Sequence, residues 1–159
     1  MKTIFTLALA LFTSLIFADS HIIVKQNGEK LEVNYVTTKD NTVFYSLPGS
    51  STVNEISLFA IEKVIDKKTN SILIDNRKAD VSGKTGYKNV QIITNSQANG
   101  LYQGTALKTT IHKPKGQMKS DWIADASIRI KKQAAKQGFP FVVITNQTDS
   151  QLEAVAYNY

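Results

Sequence analysis

Short β-type segments separated by turn residues run through positions 22–74, and they constrain the fold more than any other feature. Asn27 and Gly28 are a strong signal for a hairpin turn, because both residues tolerate a positive φ angle. The segment after them alternates, with Leu31 and Val33 on the same face. About five or six short strands joined this tightly predict a small antiparallel β-barrel or curled meander, since a flat open sheet leaves its edges unprotected.

The second half contains one segment with the period of an α-helix. Apolar residues recur at helical spacing over positions 121–137, and charged residues recur on the opposite face. Ser120 is the predicted N-cap, and Asp121 lies where a carboxylate complements the positive end of the helix dipole. Gly138 is predicted to end the helix in a left-handed conformation, and Pro140 prevents its continuation. This joint therefore predicts a helix followed by a buried strand rather than a ligand-binding turn.

The order of elements in the second half predicts a ββαββ arrangement. Two strand candidates precede the helix and two follow it, at positions 89–94, 101–111, 141–145 and 152–159. Residues 75–88 contain glycines and several charges but little apolar content, and they are predicted to be a linker. The expected fold class is therefore α+β, with a small antiparallel β-barrel or meander over residues 19–74 and a ββαββ domain with one long helix over residues 89–159.

The first 18 residues have the pattern of a secretory signal peptide. Lys2 supplies a positive start, an apolar run covers positions 4–17, and the small residue Ala18 precedes polar residues. The apolar run is shorter than the ~20 residues that a spanning helix needs. We therefore expect cleavage after Ala18 and a periplasmic or secreted protein, with no transmembrane segment after cleavage.

Several kinds of chemistry are disfavoured by the residue types present. The chain has no cysteine, which excludes disulfides, thiolate nucleophiles and cysteine-based metal sites. His21 lies near the expected cleavage point, where we expect a frayed end, and His112 lies in a lysine-rich loop. No nucleophile elbow, zinc-protease motif, Walker loop or dinucleotide-binding glycine motif follows a strand. The sequence predicts a protein that is not an enzyme and that has no cofactor and no metal site.

A hydrolase with a carboxylate site stays open as one alternative. Asp121 and Asp125 lie four positions apart on the predicted helix, so both face the same side. Arg129 and Lys132 lie on that side too, and a solvated charged face explains the set more simply.

Basic residues suggest the kind of partner, since the formal net charge is +6 at pH 7. A cationic stripe attracts anionic lipid headgroups, acidic polysaccharide or nucleic acid. The predicted export and the lack of interleaved aromatic residues argue against nucleic acid. The partner expected is an anionic envelope component or a protein, although a merely solubilising surface is the simpler interpretation. The candidate anion-binding residues are Lys113, Lys115, Lys119, Arg129 and Lys132.

A second alternative is a small-ligand-binding or inhibitory module with a pocket between the two halves. The candidate lining residues are Tyr87, Tyr102, Trp122 and Phe139. A strip of small or apolar residues beside the polar helix face is suited to covering a partner subunit, so a homo-oligomer is also expected. The strip consists of Ala124, Ile128 and Ala135.

The first half, "VKQNGEKLEVNYVTTKDNTVFYSLPGSSTVNEISLFAIEKVI", resembles the small Sm-like or SH3-like barrels of bacterial envelope proteins. The "NG" hairpin, a bent strand and a closing strand carry the resemblance, which implies a binding or scaffold module. The RNA-binding role of cytoplasmic Sm proteins does not carry over, because this chain is expected to be exported.

The second half, "GLYQGTALKTT" through "KKQAAKQGFPFVVITN" to "AVAYNY", resembles two groups of small β-α-β domains. These are the dodecin-like heavy-metal-binding group and the periplasmic multiple-stress-resistance family. Gly138 before an apolar strand, and Ala154 and Ala156 in the last strand, carry the resemblance. The chain departs from both in having "GFPF" where they favour "GA", and it offers no evident metal ligands. The leading expectation is an exported, non-enzymatic envelope protein that acts in binding or assembly and in the stress response.

Overall fold

Two β-sheets and one α-helix make up the part of the chain described by a computed structural model, residues 20–116 and 118–159. Almost all strand pairings are antiparallel, so the fold is α+β, as the sequence predicts. The predicted signal peptide lies outside the described residues. Within them, no helix has the length and apolar character needed to cross a membrane.

Six antiparallel strands form the first sheet: β1 (Ser20–Lys25), β2 (Lys30–Lys39), β3 (Thr42–Ser46), β4 (Val53–Ser57), β5 (Ile61–Asp66) and β6 (Ile72–Asp75). Their spatial order is β4-β3-β2-β1-β5-β6. Strand β1 pairs with both β2 and β5, so the chain returns to its first strand after a 3₁₀ turn at Leu58–Ala60. Strands β4 and β6 form the two edges.

Turn chemistry in the first sheet follows the sequence. Gly28, in the turn between β1 and β2, has a φ of +89°, and the Asn27 Oδ1 atom accepts the Glu29 N–H at 2.9 Å. Asp40 and Asn41 join β2 to β3 with φ angles of +51° and +59°. Both angles lie in the left-handed region, which Asp and Asn tolerate better than most residues and which matches the twist of a two-residue hairpin.

His21 is not frayed, so that prediction is wrong. It lies in β1, opposite Val33 of β2 and Asp66 of β5, and only 7% of its surface is exposed. Its ring packs against Tyr35 with the ring centroids 5.5 Å apart. The prediction used the distance from the expected cleavage point as a measure of order, but β1 is a central strand of its sheet and is held on both sides.

Four strands form the second sheet: β7 (Gln91–Ile93), β8 (Tyr102–Thr110), β9 (Phe141–Gln147) and β10 (Gln151–Asn158). Their order is β7-β9-β10-β8, with β7 parallel to β9. Helix α1 (Lys119–Lys136) lies between β8 and β9 in the chain and buries Ala126, Ile130 and Ala134 against the sheet. The elements therefore follow the predicted order of two strands, one helix and two strands.

The two ends of α1 differ in how well the sequence predicts them. The N-cap is Met118 rather than Ser120, and the Asp121 carboxylate accepts the Met118 N–H at 3.4 Å. Ser120 already lies inside the helix, because Asp121 caps it from the third helical position. At the other end Gly138 has a φ of +77°, which confirms its predicted left-handed conformation.

The two sheets contact each other through a separate apolar cluster. Ile93, Phe141 and Val143 of the second sheet pack with Phe59 of the 3₁₀ turn that precedes β5. The Phe59 and Phe141 ring centroids lie 5.1 Å apart. Gly100 lies at the same contact, where an added Cβ atom would come within 2.7 Å of Ile56 Cγ1. A side chain at position 100 would therefore force the Ile56 side chain to move.

Candidate functional site

A cleft of about 860 Å³ lies between α1 and the segment 79–84. We call it the lysine cleft. Its floor is apolar, since Val81 is buried and Ala79 and Ala135 are half-buried. Its exposed rim carries the lysines 84, 132 and 136. The volume lies within the ~300–1,000 Å³ that is usual for small-molecule sites.

The segment that forms one wall of the lysine cleft is held by local hydrogen bonds. The Asp80 Oδ1 atom accepts the Ser82 N–H at 2.9 Å, and Asn89 Nδ2 donates to the Asp80 carbonyl at 2.6 Å. The Ser82 hydroxyl and N–H hold the pKa of Asp80 below its ordinary value. Gly86 packs so closely on this wall that an added Cβ atom would meet the Val81 carbonyl oxygen at 2.0 Å. The wall therefore needs a glycine at position 86. The Asp80 carboxylate on this wall already accepts hydrogen bonds from Ser82.

Tyr87 and Lys132 form the contact that joins the two walls. Tyr87 belongs to the 3₁₀ turn Gly86–Asn89, and the Lys132 Nζ atom lies 5.0 Å from the centroid of its ring. A cation over the face of an aromatic ring is attracted by about 0.5–1 kcal/mol at an exposed site. Lys136 lies one helical turn beyond Lys132 and so faces the same side of α1.

The lysine cleft has an excess of positive charge. Lys84, Lys132 and Lys136 line it, and Asp80 is the one acidic residue of the lining. Among the described residues, none of the three lysines forms an ion pair within 4.0 Å. Unpaired ammonium groups over an apolar floor are suited to an anionic ligand.

A smaller cavity of about 230 Å³ lies between the sheets, and we call it the inter-sheet cavity. Phe141 lines it together with Tyr159, whose ring meets the Phe141 ring edge-on at 5.3 Å. Gln26 Nε2 donates to the carbonyls of Ile61 and Asn76, each at 3.1 Å. Burial raises the pKa of Tyr159, although its hydroxyl oxygen accepts the Ala79 N–H at 2.7 Å. The Gln26 amide and the Tyr159 hydroxyl therefore serve the joint between the sheets.

The four aromatic residues predicted to line one pocket lie in different places. Tyr87 lines the lysine cleft, and the other three do not. Tyr102 is 59% exposed, and its hydroxyl accepts a hydrogen bond from Asn27 Nδ2 at 3.0 Å. Trp122 lies in the first turn of α1 and Phe139 follows its last turn, so about 20 Å of helix separates them at ~1.5 Å per residue.

Trp122 and Phe139 both pack against the core under α1. The indole Nε1 atom of Trp122 is buried and has no hydrogen-bond partner among the described residues. The Phe139 ring lies against Gly104, where an added Cβ atom would meet Phe139 Cε1 at 2.2 Å. Both side chains therefore contribute to packing.

Of the five basic residues predicted to bind anions, only Lys132 lines the lysine cleft. Lys119 Nζ lies 2.9 Å from Asp149 Oδ1, and Lys113 Nζ lies 5.9 Å from the centroid of the Trp122 ring. Lys119, and to a smaller extent Lys113, lower the pKa of Asp149. These two lysines therefore face a carboxylate of their own chain.

Arg129, another predicted anion-binding residue, makes hydrogen bonds to β8. Its Nη2 atom donates to the Thr110 carbonyl at 2.8 Å, and its Nε atom donates to Thr109 Oγ1 at 3.2 Å. Gln133 Nε2 donates to the Lys108 carbonyl at 3.2 Å. Since β8 is an edge strand, these contacts cover part of its free edge with helix side chains.

The remaining candidates also lie apart. The Asp121 carboxylate accepts the Met118 N–H and so caps α1, and both Asp121 and Asp125 are exposed. Lys115 is exposed in the loop before α1. In the predicted partner strip, Ala124 and Ile128 are exposed, whereas Ala135 is half-buried in the lysine cleft. The described residues contain no group of three or more His, Asp or Glu side chains placed to hold a metal ion.

Sequence reasoning did not include Lys84 and Lys136 in the site. The position of Lys136, four residues after Lys132, is a signal that could have identified it. Lys84 carries no such signal, because its place opposite α1 depends on a long-range contact of a segment interpreted as a linker.

Comparisons of the chain with protein-family models, with curated proteins and with solved structures find no match. The resemblances to small barrels and to β-α-β stress or metal-binding domains therefore stay predictions. The function is inferred below from the geometry of this chain and from its sequence.

Proposed function

We propose that the protein is an exported, non-enzymatic binding protein that holds a small anionic ligand in the lysine cleft. One observation carries the proposal: in the part of the chain that the structure describes, three lysines without ion pairs stand over an apolar floor in a cleft of about 860 Å³. Concave sites with an apolar lining and a few convergent polar groups are the usual form of small-molecule sites. The periplasmic or secreted location is part of the proposal and rests on residues 1–18.

The strength of binding expected from charge alone is low. Each exposed contact between an ammonium group and an anion contributes about 0.2–1 kcal/mol, because water screens it. Three such contacts give at most about 3 kcal/mol, below the roughly 4 kcal/mol that corresponds to a Kd of 1 mM. The Kd of a simple anion should therefore be about 6 mM or weaker, which suits detection by NMR.

The experiment is a titration of ¹⁵N-labelled protein with acetate and with inorganic phosphate at constant ionic strength. We expect saturable shifts of the Gly83, Lys84 and Lys136 amides, because all three residues line the lysine cleft. Lys132→Gln should weaken binding about two- to fivefold, the equivalent of one exposed contact. Lys68→Gln is the control, since it removes the same charge from the turn between β5 and β6. Equal weakening by both variants contradicts the proposal.

We also propose that the chain forms two domains, over residues 19–74 and 89–159, with residues 75–88 between them. Two clusters of buried residues support the division, one around Ile23 and one around Ile130, and a smaller cluster around Phe141 joins them. Brief trypsin digestion should cut first in residues 77–88, where exposed basic residues lie, and both fragments should keep their secondary structure. The division is contradicted if trypsin cuts first in the loop before α1, or if the fragments lose their secondary structure after cleavage.

A further inference from the structure

The two parts of the lysine cleft differ in chemistry, and together they indicate what kind of anion fits. This inference rests on the proposed function. A bare inorganic anion would contact only the exposed lysines, and it would leave the half-buried Ala79 and Ala135 facing water. An anion with an apolar body covers that surface as well, and apolar surface removed from water is the main source of affinity.

Tyr87 decides between an aromatic and an aliphatic body. The Lys132 Nζ atom already lies over one face of the Tyr87 ring, 5.0 Å from its centroid. An aromatic ligand that stacked on that face would have to displace the ammonium group, which is one of the proposed anion contacts. An aliphatic chain can instead lie along the floor formed by Val81 and Ala135 while Lys132 stays in place.

We propose that the lysine cleft binds an anionic amphiphile with a short aliphatic body, such as a medium-chain carboxylate or an alkyl phosphate. The anionic group lies near Lys132 and Lys136, which are one helical turn apart, and the chain lies on the floor beside Ala135. The ligand is taken as a free molecule rather than from a bilayer, because the floor lies inside a concave cleft and not on a projecting surface.

The test is a series of NMR titrations with acetate, butanoate, hexanoate and 1-hexanol. A fully buried methylene tightens binding about fourfold, and a partly covered one less. We expect hexanoate to bind at least about tenfold more tightly than acetate, with shifts at Gly83 and Lys136, and 1-hexanol to bind more weakly than hexanoate.

Two matched variants of α1 separate the floor from the rim. Ala135→Leu places a bulky side chain on the floor, so it should abolish the advantage of hexanoate over acetate. Ala124→Leu makes the same change at an exposed helix position outside the lysine cleft, and it should leave that advantage unchanged. Far-UV circular dichroism checks that both variants keep the helix.

Each outcome of the series has one meaning. If acetate binds and hexanoate binds no more tightly, the inference of an amphiphilic ligand is wrong, while the proposed function stands. If no anion binds, or if 1-hexanol binds as tightly as hexanoate, the proposed function itself is wrong. Co-sedimentation with phosphatidylglycerol vesicles that depends on Lys132, without hexanoate binding, would assign the site to a membrane headgroup and overturn the inference.

Discussion

The lysine cleft and the inter-sheet cavity share one stretch of chain but use their polar groups in opposite ways. Around the inter-sheet cavity, the Gln26 and Asn76 amides donate to backbone carbonyls, and the Tyr159 hydroxyl accepts the Ala79 N–H. Around the lysine cleft, the ammonium groups face solvent and no carboxylate of the described chain pairs with them within 4.0 Å. Buried, satisfied groups indicate a structural joint, whereas exposed, unpaired charges indicate a place where a ligand can supply the missing partner.

Removing an aromatic ring from the joint is expected to have the largest effect. Phe141 is almost fully buried between Phe59 and Tyr159, so Phe141→Ala should lower the free energy of unfolding by about 3–5 kcal/mol. Urea denaturation measures the change. The exposed Tyr102 is the control, and Tyr102→Ala should cost less than about 1 kcal/mol. Comparable losses of unfolding free energy in the two variants would contradict the view that aromatic packing holds the two sheets together.

Removing a buried amide from the joint should have the next largest effect. Gln26 is 6% exposed and donates to the Ile61 and Asn76 carbonyls. Gln26→Met keeps most of the volume but leaves both carbonyls without this donor, so it should cost about 1–3 kcal/mol. Gln103→Met, at an exposed position of β8, should change the free energy of unfolding little. Anion affinity should be the same in both variants, because neither residue lines the lysine cleft.

Two basic residues on α1 offer the sharpest contrast between stability and binding. Arg129 donates to Thr110 and Thr109, so Arg129→Gln should cost about 0.5–1.5 kcal/mol of stability and leave anion affinity unchanged. Lys132→Gln should change stability by less than about 0.5 kcal/mol and weaken anion binding two- to fivefold. Urea denaturation and NMR titration of the same two proteins measure both quantities. If Arg129→Gln weakens anion binding as much as Lys132→Gln does, the division into a structural arginine and an anion-binding lysine is wrong.

Acid should have the smallest effect and should act outside both cavities. Lys119 lowers the pKa of Asp149, and Lys108 lowers the pKa of Glu153. A carboxyl group whose pKa is lower in the folded state stabilises the fold above its unfolded pKa of about 4, and this contribution is lost as the pH falls through the folded value. The melting temperature should therefore hold from pH 7 to about pH 5 and fall below about pH 4. Lys119→Met should reduce this decrease in melting temperature at low pH. If the decrease is unchanged in the variant, other carboxylates cause it.

Local signals in the sequence predicted local structure well. Asn27 with Gly28, and Gly138 before Pro140, predicted a hairpin and a helix end because those residues act on their own backbone. The predicted frayed end at His21 was wrong because β1 pairs with β5. The predicted N-cap at Ser120 was wrong because Asp121 caps the helix from Met118 onward.

The candidate site was predicted only in part, and one error was avoidable. Trp122 and Phe139 lie at opposite ends of one predicted helix, which already places them about 20 Å apart. Lys132, one of the predicted anion-binding residues, lines the lysine cleft, but Lys84 on the opposite wall comes close only when segment 79–84 folds against α1. Long-range packing of that kind leaves no periodic signal in the chain.

The most direct measurement observes the lysine side chains themselves. Reductive methylation with ¹³C-formaldehyde labels each ammonium group and keeps its charge. On titration with hexanoate at constant ionic strength, the methyl signals of Lys84, Lys132 and Lys136 should follow one saturating curve, while those of Lys68 and Lys115 stay still. If all lysine signals instead drift together in proportion to the anion concentration, the lysine cleft is not a binding site.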